Sequence, residues 1–523
     1  LKNLIRSPSS RSKKLAQRSR SEEAPRADRQ VSLFILTLNG LMPSMSTRFR
    51  AVSVLLSIFA VVWMASPSLL AKMPHVLLLL VDDMGYGDLA CYNRHSKIET
   101  PHINGLAESG MRFTDAHAAG PLCHVSRYGL MTGQYPFRAQ PGAWRTRATI
   151  DSSQLTLPGF LKQHGYHTAM VGKWHLGFDE KGYDRRLGGG PIDRGFDHYF
   201  GIRASTDIPP YFYIRQDRVV VPPTSHIDAN QSEGWSPIQG AFWREGGIAP
   251  GLELKDVLPR FTQEAIQVIH RHSAIASEES LFLYLAYPAP HTPWLPSPSF
   301  VGKSAAGMYG DFTMMVDHMV GEVLQALEDA GMTEDTLVIF SSDNGPVWYE
   351  EDVNRLGHDS SGGLRGMKAD AWEAGHRVPF LIRWPGHVAA GSTTHQLISF
   401  TDVLPTLASV VEQPLPEAAA PDGRSFHSVL VGEPAETRSL RQTLALASGN
   451  GKMTFRDGPW KLIQGLGSGG FSKPANLPAR QGGPAGQLYH LGRDPGELVN
   501  LYAFEPQKVT EMEAMLAAEL ANP

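Results

Sequence analysis

The chain has 523 residues, 42% of them hydrophobic, and its 48 Lys and Arg against 52 Asp and Glu give a net charge of −4. That size allows a substantial core divided between a main domain and a smaller one, and the charge balance argues against a nucleic-acid partner. Only two cysteines are present, Cys91 and Cys123, so disulfides do not organise the fold.

Residues 1–30 are rich in Ser, Arg and Lys without an apolar period. They read as disordered or as an upstream-start artefact, with a basic nucleic-acid tail as the lesser alternative, and residues 1–44 are set apart from the fold. Next come a basic stretch from Met45 to Arg50, an apolar run over 51–65 and a small-residue exit near Leu70 and Ala71. This is the pattern of a secretory signal peptide over 45–71, with Met45 as the start and cleavage near Ala71. An uncleaved membrane anchor over 51–71 is the alternative, since that stretch approaches spanning length. Either way the remainder is expected to be exported, to the periplasm or beyond, with no stable membrane span once the signal is cleaved.

Residues 75–81 are a short continuous apolar run, the mark of a fully buried parallel strand, and they end in Asp82 and Asp83. Open α/β sheets gather ligands beyond the carboxyl ends of their strands, and neighbouring carboxylates repel unless a cation or protons intervene. A solvated turn is the bland alternative. Residues 120–127, Gly-Pro-Leu-Cys-His-Val-Ser-Arg, place Arg127 four positions after Cys123, followed by Leu130-Met131-Thr132-Gly133. Alone, such a cysteine is more often a small buried hydrophobe. A second strand over 166–171 leads to Lys173 and His175, which share one face if the backbone stays extended.

Residues 185–250 lack a clear period and are rich in Pro, Gly and aromatics, which suggests long loops over a site. A helix is expected over 257–272, then a strand over 282–287 running into a proline-rich loop that carries His291. The helix expected over 311–330 holds Met314, Met315 and Met319, read as core packing. The strand over 336–342 ends in Asp343-Asn344-Gly345, which alone would be a turn signal. Asp82, Asp83, Asp343 and Asn344 together make a hard oxygen cluster that suits calcium or magnesium better than zinc. Lys368 follows on a Gly-rich segment that leads into an apolar strand from Phe380. Residues 414–421 read as a linker, 443–446 and 460–465 as parts of a small antiparallel sheet, 465–486 as a loop and 505–520 as a closing helix. The alternation of strand-like and helix-like runs gives an α/β class: a large mostly parallel sheet sandwiched by helices over 72–439, and a small α+β domain over 440–523.

In this order the segments resemble the type I, arylsulfatase-like sulfatase family over about residues 74–411, and more weakly near 460–463 and 487–497. The resemblance implies the alkaline-phosphatase-like superfamily fold and sulfuric ester hydrolysis. It also implies that a maturase oxidises Cys123 to formylglycine, whose aldehyde hydrate can attack sulfur with one hydroxyl and expel sulfate with the other. A single calcium is implied at Asp82, Asp83, Asp343 and Asn344, with position 123 as a further ligand. By the same resemblance Lys173 and Lys368 bind sulfate, Arg127 orients the hydrate, Asp343 accepts the proton of the attacking hydroxyl, His291 protonates the leaving alcohol and His175 accepts the proton that frees sulfate. Ser205 matches a segment that can contribute a substrate-contacting serine. Val125 departs from the family pattern, which has proline or alanine there, so incomplete conversion or a tolerant maturase is expected. Aryl sulfates or sulfated carbohydrates are the expected substrates. The rivals are a phosphoester or phosphonate hydrolase of the same superfamily, and a non-catalytic sulfated-glycan-binding protein if Val125 prevents maturation.

Overall fold

Every residue of strand β1 (His75–Asp82) is buried. Val76, Leu78 and Leu80 enter one apolar core, while Leu77, Leu79 and Val81 enter another. Period-two side chains on a strand covered on both faces must divide in this way. The structure is a computed structural model describing residues 73–521 except 140, 276–278 and 434–439. The expected signal peptide and the segment before it lie outside the described residues.

Around β1 a ten-stranded sheet forms with β2 (Met111–Phe113), β3 (Tyr166–Lys173), β4 (His198–Ile202), β5 (Ile214–Arg215), β6 (Arg218–Val219), β7 (Ser280–Pro290), β8 (Thr336–Ser342), β9 (Phe380–Arg383) and β10 (Ser392–Thr394). Their order is β10-β2-β9-β8-β1-β7-β3-β4-β5-β6. The five central strands β8, β1, β7, β3 and β4 are mutually parallel. Antiparallel pairings appear toward the edges, where β9 lies between β8 and β2 and where β5 and β6 follow β4.

Helices cover both faces. α1 (Pro101–Ser109), α4 (Val257–Ala274) and α5 (Gly307–Asp329) share the core of Leu77 and Leu79. α2 (Cys123–Thr132), α3 (Leu157–Gln163) and α6 (Val403–Val410) share that of Val76 and Leu78. Met315 and Met319 are buried in the first of these cores and Met314 packs at its margin. Two glycines permit close approach. A Cβ on Gly172 would lie 2.0 Å from the Ala286 carbonyl of β7, and one on Gly345 would lie 1.6 Å from the Ala374 carbonyl, so the Lys368 segment can press against the end of β8.

Residues 185–250, read as loops, also supply β4 to β6 and a small pair, Ser225–Ile227 with Gly246–Ile248. Strands of two to five residues are too short to print a period on the sequence. Beyond the large sheet, β11 (Thr443–Ala447), β12 (Met453–Asp457), β13 (Trp460–Ile463) and β14 (Gln487–His490) form a sequential antiparallel sheet. Helix α7 (Pro506–Ala521) buries Val509, Met512 and Leu516 against Leu444, Leu446, Phe455, Leu462 and Leu488 of that sheet.

Candidate functional site

β1 and β8 run side by side, so their carboxyl ends deliver Asp82, Asp83, Asp343 and Asn344 to one place. Asp83 takes a left-handed backbone, φ 64°, which non-glycine residues adopt at a cost. The turn it makes brings two successive carboxylates into one cluster: one ligand atom each from Asp82, Asp83, Cys123 and His291 lie within 4.8 Å of one another. Asn344 Nδ2 donates to Asp83 Oδ1 at 2.6 Å and to the Gly345 carbonyl at 2.9 Å. Its Oδ1 is buried and has no hydrogen-bond partner. An orphaned amide oxygen beside three carboxylates is where a hard divalent cation fits, because the ion would satisfy the oxygen and relieve the repulsion.

Cys123 is the first residue of α2, after an extended Leu122 that offers no side-chain cap. Its Sγ donates to Asp82 Oδ1 at 3.3 Å, and Lys368 Nζ lies 3.2 Å from Sγ and 2.6 Å from Asp83 Oδ1. Lys173, the last residue of β3, ion-pairs with Asp82. Arg127, one helical turn after Cys123, grips Asp343 Oδ2 through Nε at 2.9 Å and donates to the Lys173 carbonyl at 2.9 Å. Tyr284 from β7 stands 3.5 Å from the same guanidinium.

Burial favours the neutral form of Asp82, but Lys173, His291, Arg127 and Lys368 outweigh it and hold the carboxyl well below the usual range. Asp343 goes the other way: burial and then the charge of Asp82 raise it against Arg127 and Lys173. Burial, with Asp343 and Asp82, pushes the Cys123 thiol well above its ordinary value, so as an unmodified thiol it is a poor nucleophile. Burial opposes the charge on Lys173 and Lys368, yet their partners, Asp82 and Asp83 foremost, raise both and keep them cationic.

His291 follows β7, whose pairing extends to Pro290. Its Nε2 lies 3.6 Å from Asp83 Oδ2, and its Nδ1 lies 2.6 Å from the Thr292 carbonyl and 3.8 Å from Asp207 Oδ1. His175 departs from the expected extended backbone. β3 ends at Lys173 and His175 has φ 58°, so the two do not share a strand face. Burial first and Lys173 next hold His175 well below its usual pKa, and both of its ring nitrogens are buried without partners. Ser205 lies beyond β4 with a buried, unbonded Oγ and is not joined to the cluster by any hydrogen bond among the described residues.

Asp207, Tyr284, His124 and Trp144 went unread in the sequence. Trp144 presents its ring edge-on to His175 at 4.2 Å, and His124 lies 5.6 Å from His175. A single Asp in coil carries no pattern, and Tyr284 counts only as one more apolar residue in a strand. His124, immediately after Cys123, was the one signal within reach.

A mostly parallel α/β sheet with an oxygen cluster at its central carboxyl ends, flanked by three buried cations and a helix-initial cysteine, defines a hydrolase-type site for an anionic ester. Residues 74–412 match the family model described as Sulfatase, and the chain belongs to that family. It is 33% identical over 496 residues to N-acetylgalactosamine-6-O-sulfatase of Bacteroides thetaiotaomicron, covering 85% of this chain and 93% of that protein. It is 34% identical over 450 residues to human arylsulfatase A, covering 82% and 84%. A solved structure from work on the metabolism of multiple glycosaminoglycans by Bacteroides thetaiotaomicron matches with a TM-score of 0.74 at 32% identity, covering 86% of this chain and 99% of the other. A Pseudoalteromonas sp. sulfatase matches with a TM-score of 0.67 at 23% identity, covering 92% and 95%, a likeness of fold alone. The protein is thus an enzyme that hydrolyses sulfate esters. Among the described residues no helix is long and apolar enough to cross a membrane.

Proposed function

We propose that this sulfatase removes sulfate from a carbohydrate monoester by means of a formylglycine derived from Cys123 and one calcium ion. The observation that carries the reading is the environment of Cys123 Sγ, 3.3 Å from Asp82 and 3.2 Å from Lys368, beside a cluster whose Asn344 oxygen has no partner. Sγ stands in for the oxygens that the oxidised residue would carry. Asp82, Asp83, Asp343 and Asn344, with position 123, would hold the calcium, which supplies Lewis-acid polarisation of a sulfate oxygen. Formylglycine supplies a hydrate whose two hydroxyls attack sulfur and release sulfate in turn.

The remaining work belongs to the chain's own side chains. Lys173 and Lys368 neutralise sulfate charge, and in a buried site such preorganised stabilisation is usually the largest catalytic contribution. Arg127, fixed on Asp343, orients position 123, and Asp343 takes the proton of the attacking hydroxyl. His291 donates to the leaving alcohol, and His175, held neutral, takes the proton whose loss frees sulfate. Ser205 is left as a substrate contact through its unbonded Oγ. The names of the relatives support a 6-sulfated N-acetylgalactosamine as the first substrate to try, with aryl sulfates as reporters. The catalytic domain spans 72–439 and the smaller one 440–523. The leader directs export to the periplasm or outside the cell, after or during contact with a maturase.

The test has two parts. The tryptic peptide 113–127, from protein made alongside a maturase, should carry an aldehyde at position 123, and calcium-loaded enzyme should prefer a sulfate over the phosphate of the same alcohol. A preference for phosphate would favour the phosphoester rival. A persistent thiol in several maturase hosts, with calcium and sulfated glycan still bound, would favour the binding protein.

A further inference from the structure

Three arginines reach the two histidines of this site from separate segments: Arg145 ends the 3-10 helix Pro141–Arg145, Arg203 follows β4, and Arg244 precedes the strand Gly246–Ile248. Arg145 is exposed and stacks on Trp144, its guanidinium carbon 4.5 Å from the ring centroid. That ring in turn meets His175 at 4.2 Å and lies 6.3 Å from His124, the neighbour of Cys123. Arg203 accepts the His175 backbone N–H at 3.0 Å through its carbonyl, and its guanidinium is held by Glu180 at 2.6 Å. Arg244 is ion-paired with Asp207, whose Oδ1 lies 3.8 Å from His291 Nδ1. Contacts to His175 and His291 therefore tie all three cations to the same site.

Two of the three have a carboxylate partner. Arg145 makes no ion pair among the described residues. Burial and then the charges of Arg244 and Arg203 lower the pKa of Arg145, in keeping with the contacts that join all three to His175 and His291. Arg145 also acts on His124, whose pKa falls to about 4 chiefly through burial and then through Lys173, Lys368 and Arg145. An unneutralised cation, fixed on an aromatic face and repelled by its neighbours, costs stability where it stands and gains by receiving an anion.

We propose that Arg145, with Arg203 and Arg244 nearby, forms a second oxyanion subsite beside His175 and His291, which receives a carboxylate or a further sulfate of the substrate whose scissile sulfate enters between Lys173 and Lys368. The inference rests on the sulfatase reading and narrows it: the preferred substrate is a glycan with at least two anionic groups, in place of a neutral sugar bearing one sulfate. A guanidinium suits this task because its planar fork pairs with carboxylate or sulfate through two hydrogen bonds, and stacking on Trp144 fixes it beforehand.

The experiment compares three probes on the full chain: N-acetylgalactosamine 6-sulfate, its 4,6-disulfate, and the disaccharide in which a glucuronate is joined to the 6-sulfated sugar. Sulfate release gives kcat/KM on matured enzyme, and calorimetry gives Kd on the unmatured thiol form, which needs no turnover. At least one two-anion probe should be favoured over the first by roughly tenfold, the scale of one charge-assisted pair. Whichever arm shows the preference identifies the second anion as sulfate or carboxylate. Arg145→Ala should bring that ratio to near one, and Arg145→Lys should restore part of it, with the melting temperature of both variants checked against wild type. Equal handling of all three probes by wild type, or a preference that survives Arg145→Ala, overturns the subsite. If no probe releases sulfate while the Kd preference is present and lost in Arg145→Ala, the proposed 6-sulfated substrate and its formylglycine chemistry fail and the subsite stands.

Discussion

His291 occupies a position between two acids, with Nε2 3.6 Å from Asp83 and Nδ1 3.8 Å from Asp207. That arrangement can orient the ring, as a proton donor to a leaving oxygen requires. The need for such a donor depends on the leaving group. A sugar hydroxyl is a poor one and must be protonated as the bond breaks, whereas a nitrophenolate leaves unaided. His291→Ala should therefore reduce kcat on a sugar sulfate by roughly 10²–10⁴-fold and on 4-nitrophenyl sulfate by about tenfold or less. Parallel kcat measurements on the two substrates decide the matter, and equal losses would reassign His291 to binding. Cys123 teaches the complementary lesson. Its thiol is pushed up by burial and by Asp343 and Asp82, so the side chain encoded in the sequence is a poor nucleophile as it stands, which agrees with the proposed formylglycine.

The proposed oxidation would act at the start of α2. Cys123 and Val125 are the first and third residues of the helix, where backbone N–H groups have no intrahelical acceptor. Proline is tolerated there because it removes no hydrogen bond and its φ is already helical. Val125 is half-buried against Gly120, with Cγ2 2.8 Å from where a Cβ on that glycine would stand, so the exchange loses only a small contact. Val125→Pro should thus change stability by less than about 1 kcal/mol while raising the aldehyde fraction at position 123 in a host whose maturase reads proline. Peptide mass spectrometry and thermal melting give the two readouts; an unchanged aldehyde fraction would mean that valine is already accepted. The same scale explains what was legible in advance. β1, β7 and β8 are buried on both faces, so each prints an unbroken apolar run, and the polar residues after it mark the strand end and the site together. Trp144 and Arg145 come from a five-residue 3-10 helix and Asp207 and Arg244 from irregular backbone, all too short to print a period, so only tertiary contacts join them to His175 and His291. His175 misled for a related reason: its left-handed backbone breaks the alternation that its spacing from Lys173 suggested.

At the scale of the described molecule, buried charge fastens the four-stranded antiparallel sheet to the short helix Glu373–His376. Lys461 of β13 is fully buried, with Nζ 3.0 Å from Glu373 Oε1, 3.0 Å from Glu497 Oε1 and 3.3 Å from His376 Nε2. Arg456 of β12 adds contacts of 3.4 Å to Glu373 and 3.2 Å to Asp115. Glu373 opens the short helix Glu373–His376, whose Ala374 carbonyl lies against Gly345, so this network supports the segment that delivers Lys368. His117, Glu373 and His376 have the makings of a metal cluster, but the Lys461 ammonium already supplies the cation. Two carboxylates share that ammonium, and the pair divides: Glu373 stays well below its usual pKa, while burial, aided by Glu373 and opposed by Lys461, lifts Glu497 from 4.5 to about 7. With its folded pKa above its unfolded one, Glu497 binds a proton more tightly in the native state between those values. Its contribution to stability is therefore complete below pH 4.5 and is lost as pH rises toward 7. Glu497→Gln keeps an oxygen for the Glu373 N–H, now 2.7 Å from Oε2, and removes the group that must ionise. The variant should gain on wild type as pH rises from about 5 to 8, by up to about 1.4 kcal/mol for each pKa unit of the shift. Melting temperatures of the two proteins across that range measure the difference directly. A gap that stays constant with pH would mean that Glu497 is ionised throughout and that Lys461 neutralises both acids at once.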